Sequence, residues 1–256
     1  MRTDFNVSLN GVNIIDLDES IFVEDINEIP KTGIQTENRA SYGLTVTNEP
    51  EREQLDITIS LKVKNPDRLS RQRIFSAIKG WAKSGWLRTN LHDNQRIYAV
   101  CTQPLSHKAF SRSETMEITF TAYNEAYWQE IAPTVLSLSG TVASGTIRPR
   151  GTRKCFLEAE ITNTSGGTIN AISITANYQT FAFTGLSLPN NGKFMIYYDE
   201  QHLLRADASG SGSGQMSHLT YDSDDHIILQ PNEPATVSFS ATGTCSVKIY
   251  ARGMYD

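Results

Sequence analysis

No run of about 18 apolar residues occurs in this chain, so no segment of it reads as a membrane-spanning helix. The N-terminus, MRTDFNVSLNG, has no apolar core of the kind a secretory signal carries. Cysteine is scarce. Cys101, Cys155 and Cys245 are odd in number and lack metal-ligand spacing, which argues against a disulfide framework and against a zinc site. Each lies in a strand-like run and reads as a buried free thiol, with a Cys155–Cys245 bridge as the alternative if their strands meet. Basic charge is also in short supply. Lys and Arg number 23 against 28 Asp and Glu, a net charge of -5, the reverse of what a nucleic-acid binder carries. There is no nucleophile elbow, no phosphate-cradling glycine pattern and no HExxH. The histidines His92, His107, His202, His218 and His226 are scattered and read as surface or turn residues rather than ligands. Enzyme chemistry is therefore not supported, and no cofactor or metal is expected.

What is present is mostly strand signal. Phe5, Val7 and Leu9 alternate, Asn10-Gly11 turns, and Val12, Ile14 and Leu17 follow, so a hairpin is predicted at the start. A further strand is expected around Ile21, Phe22, Val23 and Ile26. Residues 30–52, PKTGIQTENRASYGLTVTNEPER, are polar with scattered Gly and Pro and read as a long loop or an extended hairpin. Leu55, Ile57, Ile59, Leu61 and Val63 alternate with polar residues, the mark of a half-buried strand.

One helical period follows. In residues 65–85, NPDRLSRQRIFSAIKGWAKSG, the side chains Ile74, Phe75, Ile78, Trp81 and Ala82 fall within an arc of roughly 120° at ~100° per residue. Asn65 is the expected cap, Pro66 the first helical residue, Lys83 the last-turn base and Gly85 the terminator. Arg73, Lys79 and Lys83 lie opposite the stripe. A basic face could grip nucleic acid, but a helix with one wide apolar stripe buries it most cheaply on a sheet, and the charges then need only water. The helix is read as sheet-packing through Ile74, Phe75, Ile78 and Trp81. Strands are expected again at 97–101 and 116–122.

Composition shifts near Pro133. Beyond it, Gly, Ser, Thr and Asn punctuate short apolar runs at 155–161, 172–176, 179–183, 193–199, 227–229, 235–240 and 245–251, as an antiparallel sandwich requires. Two domains are predicted, 1–132 and 133–256. SGSGSG at 209–214 has linker composition, but too little chain follows it for another domain, so it reads as a mobile loop within the second. Asn163-Thr164-Ser165 fits a glycosylation sequon and is read as a turn. The cluster Asp222, Asp224, Asp225 and His226 could hold calcium but lacks EF-hand spacing. Tyr178, Phe181, Phe183, Tyr197 and Tyr198 could stack on sugar rings, although in a sandwich aromatics are more often core. Residues 16–28 hold six acids, Asp16, Asp18, Glu19, Glu24, Asp25 and Glu28, and no base; an alternating strand would split them between two faces.

Taken in order, several segments resemble one family. These are LNGVNIIDLDESIFVEDI, a polar arm containing an Arg, LDITISLKV running into RQRIFSAIKGWA, then GWLRTNLHDNQRIYAVCTQP and ETMEITFTAYNEAYW. Over roughly residues 1–130 they resemble the siphophage distal tail protein family, Dit. ITANYQTFAFTGL, NNGKFMIYYDE, DSDDHIILQPNEPATVSFSA and CSVKIYARGMYD look like the strands of the galectin-like sandwich that members of this family tend to carry. The resemblance implies a mainly β fold, with a β-sandwich or split-barrel-like N-terminal domain bearing one packed helix and a galectin-like antiparallel β-sandwich after it.

It also implies a structural virion protein at the distal end of a long non-contractile tail. Such a protein forms a hexameric ring that joins the tail tube to the baseplate or tail tip. The expected partners are five further copies, the tail tube protein, the tail-tip or tail-associated protein, the tape measure protein and docked receptor-binding proteins. DNA would pass through the lumen without specific binding, and no membrane insertion is expected. The alternative is a carbohydrate-binding adsorption module acting through the second domain. A homomeric ring needs two different surfaces that fit each other, and projecting strands supply them well. Arg39, Tyr42, Leu44 and Val46 are the candidate interface residues on the arm. Asp18, Glu24 and Asp25 are candidates for a lumen wall that repels phosphates.

Overall fold

The computed structural model describes residues 5–33, 36–38, 45–47, 51–65, 67–103, 114–123, 126–199, 203–209 and 214–256. The protein is mainly β with a single α-helix among the described residues, and it divides into two compact units, Met1–Trp128 and Gln129–Asp256.

In the first unit, β1 (Val7–Leu9) and β2 (Val12–Asn13) form the hairpin across Asn10-Gly11, whose φ angles of 52° and 82° are the left-handed values a two-residue turn demands. The expected second strand stops early. Asn13 accepts from Ile15 N and starts a 3-10 turn over Ile14–Asp16, which sends Ile14 into the core instead of along a ladder. The sheet continues with β3 (Ile21–Gly33), β4 (Thr36–Asn38), β5 (Thr45–Thr47), β6 (Glu51–Val63), β7 (Gly85–Thr89), β8 (Gln95–Cys101) and β9 (Glu114–Tyr123). The strand order is β2-β1-β7-β8-β9-β6-β3, and β4 pairs with β5. β3 and β6 pair antiparallel from Ile21↔Val63 out to Gly33↔Glu51, so residues 30–33 and 51–52 lie in an extended hairpin, and Thr36–Asn38 pairs with Thr45–Thr47.

Alternation drives this sheet. Leu55, Ile57, Ile59, Leu61 and Val63 of β6 all point inward and are buried, as are Met116, Ile118, Phe120 and Ala122 of β9. Helix α1 (Arg68–Trp81) buries Ile74, Phe75, Ile78 and Trp81. Trp81 meets Phe120 edge-on at 5.9 Å, and its indole N–H donates to Val12 O at 2.9 Å, so the ring satisfies its polar end while filling the core.

The helix boundaries differ from the sequence reading at both ends. Asp67 is the cap, its Oδ2 accepting Ser70 N at 2.7 Å, while Asn65 sits before it and its Oδ1 accepts Asp67 N. Lys83 lies beyond the end at Trp81. Gly85 is the first residue of β7, where it is required for another reason: a Cβ there would collide with the Asn10 side chain, which accepts Trp86 N. Arg71 was not singled out from sequence, yet it is buried and donates to Asn65 O.

β10 (Trp128–Glu130) leads into the second unit. There the strands are β11 (Thr134–Ile147), β12 (Cys155–Asn163), β13 (Ile169–Ala176), β14 (Gln179–Leu188), β15 (Lys193–Tyr198), β16 (Leu204–Ala208), β17 (Ile228–Leu229), β18 (Ala235–Ala251) and β19 (Met254–Tyr255). The runs 235–240 and 245–251 are one 17-residue strand. Along one edge β18 pairs with β11; along the other, Val237–Ala241 pair with β13 and Cys245–Ala251 with β12. The β11–β18 ribbon therefore runs through both layers, β14-β13-β18 and β18-β12-β15-β16, and shifts register between Gly140 and Val142 where it turns the corner. The layers meet through Phe183 and Phe194, edge-on at 4.9 Å.

Asn163 is buried with its side chain fully engaged. It donates to Gly167 O and Leu188 O and accepts from Ser165 N and Ser165 Oγ, so it pins a turn and leaves no amide free for a glycan. Cys155 and Cys245 are buried and unbridged, and burial pushes their thiols up to about 12 and about 11. Cys101 departs from the buried-thiol reading in being partly exposed. Ser209 N donates to Lys193 O and Gln215 N to Ala206 O, so both ends of the SGSGSG segment are fixed to the second unit.

Phe75→Ala should destabilise the protein by about 3–5 kcal/mol in urea titration. Arg73→Ala, on the exposed side of the same helix, should change stability by less than ~0.5 kcal/mol.

Candidate assembly surface

The first unit's sheet buries one face under α1 and leaves the other outside. That outer face is built from the polar positions of β3, β6 and β9, and its composition depends on one irregularity. Val23 pairs with Leu61, but the next partner pair is Asp25↔Ser60, so Glu24 is an extra residue in β3. The bulge keeps Val23 and Ile26 both inward and buried and turns Glu24 and Asp25 both outward. The expectation that alternation would separate these two acids is thus corrected: the extra residue cancels the alternation at that point.

Across the strands, Asp25, Ser60 and Glu117 form one row, and Asn27, Thr58 and Thr119 the next, with Thr58 and Thr119 Oγ1 atoms 3.1 Å apart. Beyond these, Lys31 Nζ lies 2.6 Å from Asp56 Oδ2, Thr121 Oγ1 donates to Asp56 Oδ1, and Thr102 Oγ1 lies 2.8 Å from Thr121 Oγ1. Burial pushes the Asp56 carboxyl up, but the hydrogen bonds from Lys31 and Thr121 and the Lys31 charge outweigh it and hold the pKa below the ordinary carboxylate value. Lys62 is paired with Glu24 at 3.2 Å. Lys31 and Lys62 are thus engaged by carboxylates, a third lysine, Lys64, lies over the Phe22 ring at 4.5 Å, and Asp25 and Glu117 have no cationic partner among the described residues. The face has net negative character; of its threonines, Thr58 is half-buried and Thr119 and Thr121 are buried.

Asp18 does not join this face. Its Oδ1 accepts Ser20 N at 2.9 Å and Ser20 Oγ at 2.5 Å, which fixes the turn leading into β3. On the arm, Val46 lies in β5 opposite Glu37 of β4, whereas Arg39, Tyr42 and Leu44 lie outside the described residues.

A cluster that sequence reading missed sits at the edge of the same unit. His92 Nε2 lies 2.9 Å from Glu28 Oε1, Glu28 Oε2 accepts the indole N–H of Trp128, and the His92 and Trp128 rings stack at 4.1 Å. These residues are far apart in the chain, and no spacing rule links them.

In the second unit, Asp224 is spent on structure, its Oδ2 accepting Thr180 N at 2.6 Å. Among the described residues no group of three or more His, Cys, Asp and Glu side chains could hold a metal ion. Of the aromatic residues considered for sugar stacking, Phe181 and Phe183 are core. Tyr197 donates to Asp207, Tyr198 stacks on Phe156, and Tyr178 is fully exposed.

No family model matches this sequence, and no curated protein matches it. Solved structures do match in fold. The chain is similar to SPP1 Dit (gp 19.1), described as a paradigm of the hub adsorption apparatus in phages infecting Gram-positive bacteria, with a TM-score of 0.69 at 11% identity over 98% of this chain and 99% of that one. It is also similar to a chain of the phage P2 baseplate in its activated conformation with Ca, with a TM-score of 0.58 at 9% identity over 97% of both chains. A chain of the same baseplate with Sr gives 0.52 at 10% identity over 97% of both.

Because the folded-state pKa of Asp56 is lowered, its contribution to stability is complete above the ordinary carboxylate pKa of ~4 and is lost as pH falls through the lower folded value. Asp56→Asn should therefore flatten the acid limb of a stability-versus-pH curve below about pH 4–5 and leave its alkaline limb unchanged.

Proposed function

We propose that the chain is a structural protein of the distal end of a siphophage tail, where six copies close a ring that joins the tail tube to the tail tip and offers docking positions to other baseplate proteins. The observation that carries this reading is the end-to-end likeness of fold to SPP1 Dit, which extends over both units. Fold alone does not fix function; the distribution of chemistry on the surface supplies the rest of the support.

A ring of identical subunits joins one surface to a different one on the neighbour. The antiparallel arm beyond Gly33↔Glu51 is suited to this, because it is a strand pair extending past the end of the sheet that the helix covers. Val46, with Arg39, Tyr42 and Leu44, is the proposed contact. The polar outer face would then line the lumen. DNA must slide through such a channel without adhering, and adhesion comes from cations that release the counterions of phosphates. On this face Lys31 and Lys62 are already held by Asp56 and Glu24, while Asp25 and Glu117 add unpaired negative charge. A phosphate passing by would meet one ammonium not held by a carboxylate, that of Lys64, which lies 4.5 Å over the Phe22 ring at one end of the face, and otherwise a weakly repulsive wall. The second unit would face outward and receive receptor-binding or tail-tip proteins, with no reaction catalysed.

Gly33 and Glu51 are direct partners, so replacing residues 34–50 with an Asn-Gly turn should preserve the β3–β6 ladder and the melting temperature. Native mass spectrometry and negative-stain microscopy, with the tail-tube neighbour present, should show annular hexamers for the full chain and none for the shortened one. Hexamers of unchanged size in the shortened chain would remove the arm from the interface. In assembled particles, Glu24→Lys together with Asp25→Lys should slow DNA ejection, more so at low ionic strength; an unchanged ejection rate would place this face away from the DNA path.

A further inference from the structure

A β-sheet cannot end without exposing a row of main-chain N–H and C=O groups, and proteins blunt such rows with charges, prolines, bulges or covering segments. In the second unit, nearly every such edge is treated this way. The free edge of β14 is covered by residues 219–224, where Thr220 N donates to Ala182 O and Asp224 N to Thr180 O. β16 is short, carries Arg205 and Asp207, and is closed by Gln215 N donating to Ala206 O. The edge of β11 is different. It is 14 residues long, TVLSLSGTVASGTI, with no charge and no proline, and on the side away from β18 it has no main-chain partner among the described residues. Its inward side chains Leu136 and Leu138 are left half-buried, the degree of cover expected of a layer lacking its next strand.

We infer that this edge is a self-pairing site: the second half of β11 adds antiparallel to the same segment of a second copy of this chain, with Ser144 near the two-fold axis. The argument for a second copy is electrostatic. In a two-fold strand pair every side chain near the axis meets its own kind, so any charge there is opposed by its like. A pairing with a different protein carries no such demand and commonly uses opposite charges. β11 is free of charge throughout its length, and so is the outward row it adjoins on β18, Thr236, Ser238, Ser240 and Thr242. Pairing about Ser144 sets Val142 against Thr146 of the second copy and Ala143 against Gly145, which keeps outward residues with outward ones and inward with inward. The first half is the poorer candidate, because its face carries Glu158, Glu160 and Lys248 on the adjoining strands, and the shift at Gly140/Val142 bends one half away from the other.

This pairing does not rest on the ring. It reads out as a doubling of whatever the chain forms, monomer to dimer or ring to ring pair, whereas the ring reads out as an annular shape. Sedimentation velocity over a wide concentration range should show the full-length chain doubling. Ser144→Lys and Ser144→Glu, each at an exposed position, should melt as the parent does and each raise the dissociation constant of the doubling step about tenfold or more. An equimolar mixture of the two should regain it, because lysine then meets glutamate. Val142→Lys, at a side chain 77% exposed, provides the same test should Ser144→Lys fail to fold. A parent chain that never doubles, variants that double as the parent does, or a mixture that regains nothing would each overturn the inference, whether or not annular particles are seen.

Discussion

The main-chain hydrogen bond, and the need to end every row of them somewhere, governs this protein. With one α-helix among the described residues and most of the others in strands, few backbone groups are satisfied within their own segment. Each unit is a solution to that problem. The first spends a bulge, Pro30 and several carboxylates along β3, so its longest outer strand resists indiscriminate pairing. The second folds residues 214–224 back along two of its edges and leaves a third without a main-chain partner among the described residues. What each surface can do follows from which edges are closed and which side chains flank them.

Burial sets the second level. Alternation in β6 and β9 separates an apolar face, capped by α1, from a polar face available to other molecules. The outer face is itself ordered by side-chain bonds, from Thr102 through Thr121 and Asp56 to Lys31, so its charges sit in fixed positions. A wall of this kind, repeated around a proposed six-fold axis, would hold a polyanion only weakly because Lys31 and Lys62 are already occupied by carboxylates.

Local signals were legible in the sequence wherever chemistry and geometry lie within a few residues. The Asn10-Gly11 turn, the alternation of Leu55 to Val63 and the apolar stripe of the helix needed no tertiary context. What could not be read arises from partners far apart in the chain. Alternation alone put Glu24 and Asp25 on opposite faces, and the pairing with Ser60 and Leu61 reverses that. Glu28, His92 and Trp128 form one cluster from three distant segments. The helix cap moved from Asn65 to Asp67 because both residues can accept a backbone N–H and the fold uses each for a different turn. β11 escaped notice because its small side chains and half-buried leucines give a weak pattern, although Leu136 and Leu138 alternating with Ser137 and Ser139 were a usable cue. The candidate surface was therefore legible in its residue types and hidden in its register.

The ribbon of β11 and β18 has a consequence for how the second unit responds to load. Ordinary sandwiches can peel, one layer leaving the other once their facing side chains let go. Here the same covalent backbone crosses from layer to layer twice, so sliding the layers apart means tearing backbone bonds on both sides of the corner. The layers yield together or hold together.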